Sequence, residues 1–174
     1  MGIITTSKPA NKSRYLSAYH NGVAVTSVTA TAGRVVLILF EVPFDCKVDA
    51  IIVQNVATVA GNATVGIYGP IAFATDTCLD APLLIESAST ALSGASQPQI
   101  ITFTETDLIA GKYYMAVEYS DATHTYLRQA NSSQVVGWGQ YYDRGGGYGA
   151  LTNPCPAVTN TGTALPGLRV RISS

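Results

Sequence analysis

Apolar and polar residues along this chain either alternate with a period of two or run together in short blocks, and no window repeats every 3.6 residues. The pattern predicts strand after strand. Val23–Thr31 (VAVTSVTAT) is β-branched and partly alternating, and Ala32–Gly33 reads as a tight turn. Arg34–Val42 is nearly all apolar, which predicts a strand buried on both faces. Pro43, Phe44 and Asp45 break it, and Lys47–Val56 is the next strand. A turn at Gly61–Asn62 leads into Ala63–Tyr68, which Gly69–Pro70 should end. Residues 70–82 read as a long loop. Leu83–Ser87, Gln99–Thr104, Lys112–Tyr119, Thr123–Arg128 and Val135–Tyr142 continue the series, and Thr104–Leu108 could hold one helical turn at most. After a Gly/Pro/Asn-rich loop over 143–166, Leu168–Ile172 alternates: apolar at 168, 170 and 172, basic at 169 and 171. Turn signals recur about every 8–12 residues, the spacing of a sandwich or barrel. The expected fold is an all-β antiparallel sandwich of about 8–10 strands.

The first residues break this pattern. Lys8, Lys12 and Arg14 are basic, Pro9 argues against a helix, and no acid occurs before Glu41. Residues 1–18 are expected to be an extended N-terminal arm, and 19–174 a single sandwich domain.

Composition narrows the class. Of 174 residues, 47% are hydrophobic and only 12% charged, about half the usual share, with a formal net charge of -1. A disordered chain would be more charged, and a nucleic-acid binder usually strongly basic. The longest apolar run, Val35–Phe40, is too short to span a bilayer, and the N-terminus lacks the apolar run of a signal peptide. Neither nucleic acid nor membrane is therefore an expected partner. A surface of hydroxyls, small residues and aromatics suits a protein packed among other subunits.

Catalytic, metal and cofactor motifs are not expected. His20 and His124 lack neighbours at ligand spacing, and each reads as a surface or capping residue. Asp76 and Asp80 share a loop without the DxDxDG pattern of a calcium site. Cys46, Cys78 and Cys155 have no metal-ligand spacing and read as separate thiols, with one disulfide left open. Gly145–Ala150 (GGGYGA) has the letters of a dinucleotide fingerprint. The next six residues, LTNPCP, cannot form the helix that would hold a pyrophosphate, so the glycines are read as allowing close backbone packing. The constellation with binding character is Trp138, Tyr141, Tyr142 and Tyr148 around Arg144. Trp138 and Tyr142 would face one side of a strand and Tyr141 the other, giving a core subset and an exposed subset. Exposed Tyr, Trp and Arg dominate interfaces, and their rings also stack on sugars.

Several segments resemble a β-sandwich domain of bacteriophage virion proteins. They are Ala32–Pro43 (AGRVVLILFEVP), Val48–Val53 (VDAIIV), Val65–Tyr68 (VGIY), Leu83–Ser87 (LLIES) after Pro82, Leu108–Val117 (LIAGKYYMAV) and Thr125–Arg128 (TYLR). The likeness covers roughly residues 32 to 130. Tyr114 stands where that group often has Trp, and the loop at 69–82 is longer. The resemblance implies a jelly-roll-like, non-enzymatic virion component, a head-decoration or cement subunit or a small fibre-base subunit. It also implies a homotrimer or other symmetric homo-oligomer, with the major capsid protein or tail and fibre proteins as partners. In that setting Lys8, Lys12 and Arg14 would anchor to neighbours. The alternative is a receptor- or glycan-binding module of a tail tip, using the aromatic constellation.

Overall fold

The computed structural model describes residues 14–17, 25–72, 77–129, 139–145, 147–160 and 165–173. Among them there is no helix, and the strands in chain order are β1 (Arg14–Ser17), β2 (Val25–Thr29), β3 (Arg34–Val42), β4 (Cys46–Gln54), β5 (Asn62–Ile71), β6 (Leu83–Glu86) and β7 (Thr90–Ala91). They continue with β8 (Pro98–Leu108), β9 (Gly111–Tyr119), β10 (Thr125–Gln129), β11 (Gly139–Asp143), β12 (Thr159–Asn160), β13 (Leu165–Pro166) and β14 (Arg169–Ile172). One sheet has the order β1-β14-β4-β8 and a larger one β12-β11-β3-β9-β5-β6, with β7 also on β5. A small third sheet is β13-β10-β2. All pairings among the described residues are antiparallel. The long strands β3, β4, β5, β8 and β9 alternate between the two larger sheets, so each connection crosses the core. The protein is an all-β antiparallel sandwich with jelly-roll-like crossing.

Strand sequence decides which faces are dry. In β3, Val36, Ile38 and Phe40 point between the sheets, while Val35, Leu37 and Leu39 point to the far side, and both sets are buried. β9 does the same, with Tyr113, Met115, Val117 and Tyr119 inward and Tyr114 and Ala116 outward. The smaller sheet contributes Val48, Ile51, Val53, Ile101 and Val170 to the central core. Its other face is solvated, so β14 alternates as expected: Val170 is buried, and Arg171 binds Asp49 with two bonds of 2.7 and 2.8 Å. Fully burying one such aliphatic side chain is worth about 1.5–3 kcal/mol, so these alternating sets dominate the fold's stability. The third sheet touches β3 and β4 and closes one end of the core, where Tyr126 stacks on Tyr119 at 5.1 Å.

Several expectations change. Residues 104–108 are strand, not a helical turn, because Thr106 and Asp107 pair with Val48 and Lys47, and Lys47 Nζ reaches Glu105 at 2.9 Å. β5 runs past Pro70 to Ile71, where a register shift after Tyr68 accommodates a residue with no N–H to donate. His124 is not on the surface: it is fully buried, 4.6 Å from the Tyr119 ring. Eleven strands have four residues or more among the described residues. One of them, β1, comes from the end of the expected arm, paired from Arg14↔Ile172 to Ser17↔Arg169, with Leu16 packed against the core. Residues 1–13 lie outside the described residues.

Candidate interaction surface

Lys8, Lys12 and Trp138 lie outside the described residues. Arg14 opens β1 at the edge of the smaller sheet. The other four candidates belong to β11 and the segment after it, and the structure does not gather them into one exposed patch.

β11 lies along β3 with Tyr141 opposite Val36 and Tyr142 opposite Val35, so the two rings face opposite sides. The Tyr141 ring lies under the Arg34 guanidinium, 4.1 Å from its centroid, and Asp143 grips that guanidinium at 2.7 and 3.1 Å. Tyr142 is buried on the far side of the larger sheet. There the Thr152 N–H donates to the Tyr142 hydroxyl (3.3 Å) and the Tyr68 hydroxyl donates to the Thr152 carbonyl (2.7 Å). The remaining bond, 2.9 Å between the two hydroxyls, is then donated by Tyr142, which closes a three-membered cycle. Burial pushes both phenols above their ordinary pKa.

Arg144 and Tyr148 are also committed internally. Arg144 Nη1 and the Gly149 N–H each lie 3.3 Å from Glu118 Oε2, a carboxylate with no exposure at all. Burial pushes the Glu118 carboxyl up, against the pull of the Gly149 N–H and Arg144. The Tyr148 hydroxyl bonds Thr64 and Ser89, each at 2.8 Å, and the Leu151 N–H donates to Glu86 at 2.8 Å. The glycines of this stretch are not themselves crowded by backbone: a Cβ on Gly145 or Gly147 would meet nothing within 4 Å, and on Gly149 only the Arg144 side chain, while Gly147 is needed for its φ of +78°. The close backbone approach is at Gly33, whose Cβ would sit 3.2 Å from the Gly147 Cα.

The far face of the larger sheet is therefore covered by the chain's own loops. Cys78 and Ala81 from one loop, and Leu151 and Cys155 from another, pack on Val35, Leu37, Tyr68, Tyr114 and Tyr142 to form a second core. The surfaces left for partners are the edges and turns of the sandwich and the outer face of the smaller sheet. β8 is an eleven-residue edge strand whose outward side chains include Ile100, Thr102 and Thr104. At one end Phe44 (46% exposed) and Ile109 (60%) sit on adjoining turns, tied by the Ala110 N–H to Asp45 at 2.8 Å. Sequence reasoning missed this apolar tip, since a lone Phe or Ile in a turn carries no periodic signal. It missed Glu118 too, although an acid inside the apolar run of β9 was a visible sign. Among the described residues no group of three or more His, Cys, Asp or Glu side chains could hold a metal ion.

No family model matches the sequence, and no curated protein matches it. One solved structure to which the chain is similar is the "Structure of infectious bursal disease virus Gt strain", at 11% identity and a TM-score of 0.35. The alignment covers 99% of this chain and 35% of that one, so this chain spans about a third of the viral chain's length. That TM-score is below the level of a shared fold.

Proposed function

We propose that the protein is a structural virion protein of a tailed bacteriophage, a head-decoration or cement subunit or a small fibre-base subunit. In this reading it bridges neighbouring subunits as a symmetric oligomer. The observation that carries the reading is β1. The segment Arg14–Ser17, next to the basic stretch with Lys8 and Lys12, adds as an antiparallel strand to the edge of the smaller sheet. A chain that docks a strand on its own sheet edge has the chemistry to interlock with a neighbour's, because an open edge offers a row of unpaired N–H and C=O groups. Low charge and the Phe44–Ile109 tip add apolar contact, and many weak contacts on a lattice give avidity without a large interface per copy.

The glycan-binding alternative has less support. Tyr142 is buried, and the two half-exposed rings are both engaged within the chain, Tyr148 through its hydroxyl with Thr64 and Ser89 and Tyr141 under Arg34, while Arg144 is paired with Glu118. Quantitative mass spectrometry of purified phage particles tests the proposal. The chain is expected at fixed stoichiometry, in hundreds of copies for a head coat or a handful for the tail. Its absence from purified particles would overturn the reading.

A further inference from the structure

Two thiols 77 positions apart in sequence meet in the second core. Cys78 and Cys155 are both fully buried and pack in the same cluster on the outer face of the larger sheet. Their loops are laced together: the Cys155 N–H donates to the Ala81 carbonyl, the Asp80 N–H to the Cys155 carbonyl and the Ala81 N–H to the Cys78 carbonyl, each at 2.9 Å. The Cys78 N–H is fixed in turn by Gln140 Oε1 at 2.8 Å. Cys46 packs against the central core, on the opposite side of the larger sheet, and does not compete.

We infer that Cys78 and Cys155 form an intramolecular disulfide when the protein meets a low-molecular-weight disulfide, locking the 77–82 and 151–158 loops onto the larger sheet. The pair sits on irregular loops, not regular strands, and those loops are already laced together, so loop adjustment can bring the sulfurs to bonding distance. With glutathione disulfide, one cysteine loses its proton and attacks a donor sulfur, releasing one glutathione thiolate and leaving a mixed disulfide. The second cysteine loses its proton and attacks the protein-side sulfur of that mixed disulfide, releasing the second glutathione. Two protons leave the protein, and two electrons pass to the donor.

The neighbouring Cys155 thiol, followed by burial, pushes the Cys78 thiol up, so the attacking thiolate is scarce while the loops are closed. Oxidation therefore waits on opening of the loops and is slow. A thiol-rich cytosol would keep the pair reduced, and an oxidising medium outside the cell would lock it. The inference is independent of the virion reading, because it concerns only what these two thiols do.

The test treats the reduced full-length protein with glutathione disulfide at mildly alkaline pH and tracks intact mass, non-reducing peptide maps and thermal melting. The expected mass is about 2 Da below the reduced protein, with the Cys78 and Cys155 peptides joined and Cys46 alkylatable. Closing so long a loop should raise Tm on the order of 10 °C, reversed by reductant. Cys46→Ser should behave like the parent, and Cys78→Ser should lose the reductant-sensitive rise. Three alkylatable thiols after treatment that spans loop opening would overturn the inference, as would a cross-link through Cys46 or a lower Tm on oxidation.

Discussion

The two faces of the larger sheet bury similar side chains by different means. Its inner face meets another sheet, and the contact is apolar on both sides: Ile38, Ile67, Met115 and Val117 against Ile51, Ile101 and Val170. Its outer face meets loops, and there the apolar contacts are joined by polar ties: Tyr68–Tyr142–Thr152, Glu118–Arg144, Cys78–Gln140 and Glu86–Leu151. Regular strands satisfy their own backbone groups and can pack on alternation alone. Irregular loops cannot, so each one brought onto the sheet needs side chains to satisfy its backbone. The inner face supplies bulk stability, and the outer face shapes the surface.

The two faces should part most sharply under truncation. Ile67→Ala on the inner face should cost about 2–5 kcal/mol of global stability, read as a fall in the urea midpoint with little change in slope. Tyr142→Phe on the outer face should cost about 1–3 kcal/mol, because the Thr152 N–H loses its acceptor and the Tyr68 hydroxyl a partner. Amide exchange should quicken in residues 147–158 while β3 and β9 stay protected. Equal loss of protection in both regions would mean that they are one cooperative unit.

Acid should act on the two faces with opposite sign. His124, at the end of the inner core, has its pKa lowered by burial, only partly offset by Asp121. Its contribution is present above the unfolded value near 6.5 and is lost as pH falls from there towards the folded value. Glu118, on the outer face, is raised by burial, so its contribution is present below the ordinary carboxylate value and is lost as pH rises through the folded one. Urea midpoints from pH 4 to 7 should therefore flatten below about pH 6.5 in His124→Phe. In Glu118→Gln they should lose the decline that begins above about pH 4.5. A parent-like profile in either variant removes that residue from the pH dependence. Least of all should change at the rim: Arg34→Ala, which breaks a solvent-exposed pair with Asp143, should cost less than about 1 kcal/mol.

Legibility in the sequence divides along the same line. The unbroken apolar run of β3 announced burial on both faces, and the alternation of β14 announced one wet face. Both signals are local. His124 reads as a polar residue in a turn, and only Tyr119 and Tyr126, brought in by sheet pairing, explain its burial. Cys78 and Cys155 carry no spacing signal, because their meeting depends on two long loops crossing the same sheet face. Tyr148 and Arg144 were visible as interface-type residues. Their capture by Thr64, Ser89 and Glu118 is a tertiary event that composition could not reveal.

The proposed bridging role turns on the segment before β1. Deleting residues 1–13 keeps every residue of β1 and of the two described cores in the chain, and circular dichroism and Tm are expected to match the full chain. Co-sedimentation of the truncated protein with phage particles lacking their own copy should then be lost. Retained co-sedimentation at full-chain levels would contradict the claim that this arm holds the protein to its neighbours.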